Sequence, residues 1–273
     1  MNMSDGFPSI CLIGAGNMGG AMLSGWLEGG LPAANATVVD PSPRPEMAEK
    51  LARLGVASVA SAGEAQRPDV LIIAVKPQMM GTVLPQLKDI AGPDTVAVSV
   101  AAGTTIAFME EHLGNVPIVR AMPNTPAILR KGITVCCPNG PVTDAQRAQV
   151  TGLLKAVGEV EWVSEERQID AVTAVSGSGP AYVFNLAECM TAAGVAEGLP
   201  EELASKLARH TIAGAGEMLA VLEDSAGRLR ENVTSPNGTT AAALSVLMAE
   251  PGLADLVKKA IHAARVRAEE LSG

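Results

Sequence analysis

Aromatic side chains make up only 2% of this 273-residue chain: two tryptophans, one tyrosine and three phenylalanines. That scarcity removes the stacking platforms on which single-stranded nucleic acid is usually held. Positive charge is also short. Twenty Lys and Arg face 29 Asp and Glu, for a formal net charge of −9 and a pI near 4.9. The cationic footprint that nucleic acid or an acidic membrane surface demands is therefore missing. A small anionic ligand is still compatible, because local donors can oppose the global sign. The three histidines, His112, His210 and His262, are far apart in the chain, which argues against a zinc site, and no metal is expected. The four cysteines, Cys11, Cys136, Cys137 and Cys189, show neither C-x-x-C spacing nor an extracellular disulfide framework, and read as reduced core thiols. Cys136 and Cys137 are adjacent, so in a strand their side chains would point to opposite faces. No apolar run approaches a membrane span, and no basic segment followed by an apolar stretch opens the chain. The expectation is a cytoplasmic, soluble protein with no nucleic-acid or membrane partner.

Hydrophobic residues account for 48% of the chain and charged ones for 18%, enough to bury a sizeable core in one large or two moderate domains, two being the expectation. The first clear pattern is a short apolar strand, Ser9 to Ile13, running into Gly14-Ala15-Gly16-Asn17-Met18-Gly19 and then an apolar helix to Leu27. In a dinucleotide fold the first glycine makes the tight turn, the second lets backbone approach a pyrophosphate, and the third allows close helix packing. A G-x-G-x-x-G alone is weak. Here a second strand, Ala36 to Asp40, ends in an acid about twenty residues after the motif, as the fingerprint requires.

The first half continues to alternate strand and helix signals, which implies a parallel sheet covered on both faces. Strands are expected at Asp69–Val75, Thr95–Val100, Pro117–Arg120, Gly132–Val135 and Val160–Val163. Helices are expected at Pro45–Leu54, Met79–Leu87, Thr105–Leu113 and Thr143–Val157, the last capped by Thr143. After about Glu165 the strand signals stop. Alanine-rich helical stretches follow at 169–175, 181–196, 200–222, 239–248 and 251–271. The expected fold is thus an α/β Rossmann-type domain, doubly wound with a mainly parallel sheet, over residues 1–164, then an all-α domain over 165–273. A helical domain of roughly 110 residues with so few large side chains needs a second copy to complete its core, so a homo-oligomer is expected.

Within the helical half, Glu231 to Leu244 places uncharged hydroxyl and turn residues at a helix mouth. Ser235 suits an N-cap and Pro236 a first helical position, while Asn237 and Gly238 leave the first-turn N–H groups uncovered. Such a mouth suits a carboxylate, which the helix dipole would favour by roughly 0.3–2 kcal/mol. An ordinary capped helix would show the same residues.

Taken together, Gly14 to Gly19, Ala74-Val75-Lys76-Pro77, Ala101-Ala102-Gly103, Arg120 to Pro126, Ser176 to Tyr182 and Asn232 to Thr240 resemble the pyrroline-5-carboxylate reductases over nearly the whole chain. The resemblance implies reduction of 1-pyrroline-5-carboxylate to L-proline with NADPH, or NADH. It also implies a Rossmann domain joined to a helical domain that dimerises by interlocking, with dimers assembling further. It places Glu166, Thr239 and Thr240 against the substrate with the Ser235-Pro236-Asn237-Gly238 loop, Thr240 acting catalytically through its hydroxyl on the ring nitrogen. Glu223 is placed near the same pocket. On the cofactor side it implies Gly14, Ala15, Gly16, Asn17, Met18 and Gly19, with Ala74, Val75, Lys76 and Pro77 and with Val100, Ala101 and Ala102. Met122 and Asn124 belong near the nicotinamide, and Asn232 near the cofactor.

Three positions depart from the family pattern. Asp40 stands where NADPH-preferring members tend to carry a neutral or basic residue, and an acid there favours a free ribose hydroxyl. Ser42 and Arg44 could nevertheless accommodate a 2′-phosphate. Ser61 stands where many members place an asparagine against the adenosine, and Asn237 replaces a common glycine, a substitution that asparagine's tolerance of left-handed backbone permits. Two other readings compete. A two-domain hydroxyacid-type dehydrogenase would need a general base, usually a lysine in the first helix of the second domain, and 181–196 contains none. A non-catalytic nucleotide-binding or PLP-handling accessory protein would not need the hydroxyl-rich mouth.

Overall fold

The computed structural model describes residues 7–272. They form two compact units: one running to Gly177 and also taking in the segment from Ala264 onward, the other spanning Ser178–Ala263.

The first unit is an eight-stranded sheet in the order β3-β2-β1-β4-β5-β6-β7-β8. Its strands are β1 (Ile10–Ile13), β2 (Ala36–Val39), β3 (Ala57–Val59), β4 (Val70–Ile73), β5 (Val96–Ser99), β6 (Ile118–Met122), β7 (Gly132–Pro138) and β8 (Gly158–Trp162). All neighbouring pairs are parallel except β6 with β7. The central strands β1 and β4 are buried along their full length, as expected for parallel strands covered on both faces, and this explains their unbroken apolar runs.

The two-residue period of the strands divides the core into two layers. Ile10, Leu12, Val70, Ile72, Val96 and Val98 face helices α1 (Asn17–Glu28) and α5 (Asp144–Leu154). Trp26 closes this layer and donates its indole N–H to the Leu153 carbonyl at 2.9 Å. Cys11, Ile13, Leu71, Ile73 and Ala97 face α3 (Met80–Leu87) and α4 (Ile106–Leu113). Cys136 and Cys137 fall in opposite layers, as the alternation predicts. Burial pushes the thiols of Cys11 and Cys136 up to about 12. Cys189 departs from the core-thiol expectation: it lies on the helical unit and is exposed in the single chain.

Thr143 caps α5 as expected, in a reciprocal box with Gln146 whose bonds are 3.0 and 3.2 Å. Helix α2 (Pro45–Leu54) ends on Gly55 at φ 70. Strand β3, three residues long with two exposed, carries too little pattern to be read from sequence. The strand signals stop where expected. Even so, α6 (Gln168–Val172) and the π-helical turn Thr173–Gly177 that follows belong with the sheet, and Ile169 and Val172 pack into its second layer.

The second unit consists of α7 (Gly179–Ala196), α8 (Glu201–Val221), α9 (Ala226–Asn232), α10 (Thr239–Leu247) and the first part of α11 (Leu253–Ser272). Helix α9 is not among the sequence expectations, because its residues Ala-Gly-Arg-Leu-Arg-Glu-Asn carry a single large apolar side chain. Ser225 caps it by accepting the Arg228 N–H at 3.2 Å. Large apolar side chains on this unit stand exposed in the single chain, among them Phe184, Leu219, Val246 and Leu256. No helix among the described residues is long and apolar enough to cross a membrane.

Candidate active site

The chain runs outward from β1 to β2 and β3, then returns to β4 on the other side of β1 and continues to β6. The carboxyl ends of β1 and β4 therefore flank a topological switch point, where open α/β sheets bind nucleotides. The glycine loop lies there. Gly14 has φ +87, a conformation that a side chain would strain, and its N–H donates to the Val39 carbonyl at 2.9 Å. A Cβ on Gly16 would meet nothing within 4 Å, so its backbone is open to a close-approaching group. A Cβ on Gly19 would lie 2.2 Å from the Gly14 carbonyl oxygen and 3.2 Å from Ala74 Cβ, which seats α1 directly on the loop. No side chain caps the first turn of α1, and the N–H groups of Asn17, Met18 and Gly19 form its open, electropositive end. These residues fit a pyrophosphate.

Asp40 follows β2 and holds this loop in place. One carboxylate oxygen accepts the Ala15 N–H at 3.1 Å, and the other accepts the Ser42 N–H at 3.0 Å. Arg44 reaches across to donate to Asn17 Oδ1 at 2.9 Å. Ser61, after β3, is the N-terminal half of a capping box with Glu64, its hydroxyl 2.8 Å from Glu64 Oε1. Val100 continues the edge after β5, its N–H bonded to the Ile73 carbonyl at 3.1 Å. Ala74, Val75, Lys76 and Pro77 follow β4, with Lys76 and Pro77 exposed, while Ala101 is buried and Ala102 exposed. Met122 ends β6 and packs on Gly177, where a Cβ would meet its terminal methyl at 2.5 Å. Asn124 braces the β6–β7 connection by accepting the Ile133 N–H at 2.9 Å. All cofactor-side candidates except Asn232 thus gather along one edge of the sheet, whereas Asn232, the last residue of α9, is exposed on the helical unit.

The substrate-side candidates lie on the helical unit, with one exception and one correction. The correction concerns the helix mouth. Helix α10 begins at Thr239 with Gly238 as N-cap, not at Pro236 with Ser235 as cap. Asn237 adopts φ 58, which no helical first turn accepts, and Ser235 to Gly238 instead close a turn through the Gly238 N–H and Ser235 carbonyl at 3.1 Å. Proline second and a positive φ third are what a type II turn requires. The open N–H groups therefore belong to Thr239, Thr240 and Ala241. No side chain caps them. Thr240 is half-buried, and Glu223, between α8 and α9, is exposed.

The exception is Glu166, which precedes α6 in the sheet unit. Its Oε1 accepts from Arg120 Nη1 at 3.0 Å and from the Ile106 N–H at 2.8 Å. The family resemblance places this carboxylate against the substrate, and nothing in it points to Arg120 as its partner. An arginine in an otherwise apolar strand was the available signal.

A doubly wound sheet with an open glycine loop at its switch point, followed by an all-helical unit with an uncapped, hydroxyl-lined helix mouth, is the architecture of a dinucleotide-dependent oxidoreductase. Residues 9–103 match the family model described as NADP oxidoreductase coenzyme F420-dependent, and residues 166–271 the one described as pyrroline-5-carboxylate reductase dimerisation. The chain is 44% identical to a pyrroline-5-carboxylate reductase of Pseudomonas aeruginosa, over 97% of each chain. Its fold is similar to that of a pyrroline-5-carboxylate reductase from Coxiella burnetii, with a TM-score of 0.91, 37% identity and coverage of 97% of this chain and 99% of that one. A Plasmodium falciparum pyrroline carboxylate reductase solved with NADP bound gives a TM-score of 0.81 at 29% identity, covering 97% and 98%. The chain belongs to the pyrroline-5-carboxylate reductase family.

Proposed function

We propose that the chain transfers hydride from a reduced nicotinamide to the C=N carbon of 1-pyrroline-5-carboxylate, releasing L-proline as the last step of proline biosynthesis in the cytoplasm. The observation that carries this reading is the open mouth of α10. Elsewhere in the chain Thr173, Thr191 and Thr234 return their hydroxyls to the carbonyl four residues back, at 2.6–2.8 Å. Thr240 makes no such bond, and among the described residues its hydroxyl has no recorded partner. A hydroxyl left free beside uncapped N–H groups suits a ligand that carries both a carboxylate and a ring nitrogen.

A protonated cyclic imine is already an electrophile, so no strong protein acid is needed. The first-turn N–H groups of α10 hold the carboxylate and so fix the ring, while Thr240 engages the ring nitrogen. Gly14 to Gly19 hold the cofactor pyrophosphate, with Lys76, Val100, Ala101, Ala102, Met122 and Asn124 along the same edge. The bound nicotinamide supplies the hydride. Orientation of this kind contributes up to about 7–11 kcal/mol in favourable models.

NADPH is the proposed cofactor, with NADH also accepted. Arg44 lies beside the loop, and both Asp40 oxygens already accept backbone N–H groups. Asp40→Ser is expected to raise the NADPH-to-NADH ratio of kcat/KM several-fold by removing a negative charge near a 2′-phosphate. An unchanged ratio would mean that Asp40 only braces the loop.

The functional unit is proposed to be a homodimer, interlocked through the helical unit and assembling further. The exposed apolar side chains of that unit support it. So does a groove of about 1140 Å³ between α7 and α8, lined by Val183, Phe184, Val195 and Ile212. Solution mass tests this.

Activity is tested by following reduced-nicotinamide consumption with pyrroline-5-carboxylate, and oxidised-nicotinamide reduction with a 2-hydroxy acid. Turnover with the imine is expected. Turnover with the hydroxy acid alone would reject the reading.

A further inference from the structure

Arg120 is 3% exposed, the least expected charge in the sheet. Its register neighbour on β5 is Ser99, and its guanidinium lies in the layer shared with α4 and α6. Nη1 donates to Glu166 Oε1 at 3.0 Å, and Nη2 to Asp170 Oδ1 at 3.1 Å and to Ser272 Oγ at 3.2 Å. The Ser272 hydroxyl, near the end of α11, also lies 3.2 Å from Asp170 Oδ1. Two carboxylates around one guanidinium leave a surplus negative charge. The N-terminus of α4 offsets it, because Glu166 Oε1 also accepts the Ile106 N–H at 2.8 Å, where the helix dipole is positive.

Ile106 closes the connection from β5, which carries Val100, Ala101 and Ala102. The same connection is held a second time. A Cβ on Gly103, at φ +72, would lie 2.8 Å from the Leu271 carbonyl oxygen, so the end of α11 rests directly on that turn. Both restraints come from segments far away in sequence, and both converge on Arg120.

We infer that Arg120, Glu166, Asp170 and Ser272 form a clasp that positions the 100–106 loop for the cofactor, with Glu166 acting on that loop as a positioning residue. The inference rests on the nicotinamide-dependent reading above. A loop pinned at 103 and 106 presents its backbone in one geometry. Released at 106, it samples several, and the cofactor must then select among them at a cost in affinity.

The test uses the full-length protein with Glu166→Ala, the isosteric Glu166→Gln and Ser272→Ala. Three quantities are read: amide hydrogen exchange of residues 100–106 without ligand, the Kd of NADPH without substrate, and the KM of the imine at saturating cofactor. Glu166→Ala is expected to speed exchange at Ile106 at least tenfold, raise the NADPH Kd about tenfold and leave KM within twofold. Glu166→Gln keeps an oxygen acceptor and should recover most of both losses. Ser272→Ala should raise Kd two- to threefold, and it decides the matter if the Glu166 variants do not fold, an unchanged Kd then counting against the clasp. Unchanged exchange, or a loss confined to KM, would overturn the inference. A wild-type protein that binds neither NADPH nor NADH would sink the functional reading instead, while exchange at Ile106 would still decide whether the clasp exists.

Discussion

Thr240→Val is expected to lower turnover of the imine about 100-fold, the scale seen when one hydrogen-bonding partner of a reacting group is removed. The substitution is close to isosteric. Valine and threonine are both β-branched with similar helix propensity, and Thr240 is the second residue of α10, so the helix start should survive. The open first-turn N–H groups also survive, which keeps the carboxylate site and predicts only a modest rise in KM. Cofactor affinity should stay within twofold, because the glycine loop is untouched. A 100-fold loss corresponds to about 2.7 kcal/mol of barrier. Stopped-flow oxidation of NADPH at saturating imine separates this from slow product release. Normal turnover in that experiment would show that the hydroxyl has no part in the reaction.

Gly19→Ala is expected to be the more damaging change on the cofactor side, and to damage the fold as well. The added methyl would sit 2.2 Å from the Gly14 carbonyl oxygen, a backbone atom that cannot swing away. Either α1 lifts from β1 or the Gly14 turn opens. The first costs packing, about 1–3 kcal/mol for an overpacked site, and hence several degrees of Tm for a unit of this size. The second disorganises the cradle for pyrophosphate, so the NADPH Kd should rise tenfold or more. Gly16→Ala makes an informative partner, because its Cβ would meet nothing within 4 Å. Its Tm should equal that of the wild type while its cofactor affinity falls, since the methyl occupies only space needed by the ligand. Titration of reduced-nicotinamide fluorescence alongside thermal melts checks both. Full cofactor affinity in Gly16→Ala would show that the pyrophosphate does not lie against that backbone.

Several elements were legible in advance because their causes are local. Ser9 to Gly19 reads correctly since an apolar strand, a turn needing positive φ and a tightly seated helix each restrict residue type within a short window. The helix Asp144–Leu154 begins where Thr143 and Gln146 satisfy each other's backbone groups, a four-residue signature. The cap expected at Ser235 falls three residues early for an equally local reason, although the helical stretch expected from 239 is found there. Ser-Pro is a good cap, but it is also a good turn, and the positive φ of Asn237 selects the turn. Helix Ala226–Asn232 and strand Ala57–Val59 escaped because neither presents enough apolar side chains to show a period.

The order of glycines and apolar periods along the chain was sufficient to specify the strand–turn–helix alternation and the glycine loop, since each depends on neighbours within a few residues. The partners of Arg120 depended on the tertiary structure alone. Glu166, Asp170 and Ser272 lie 46, 50 and 152 residues from it in sequence, and a buried guanidinium must be matched wherever the fold happens to bring carboxylates, a condition that no local pattern encodes.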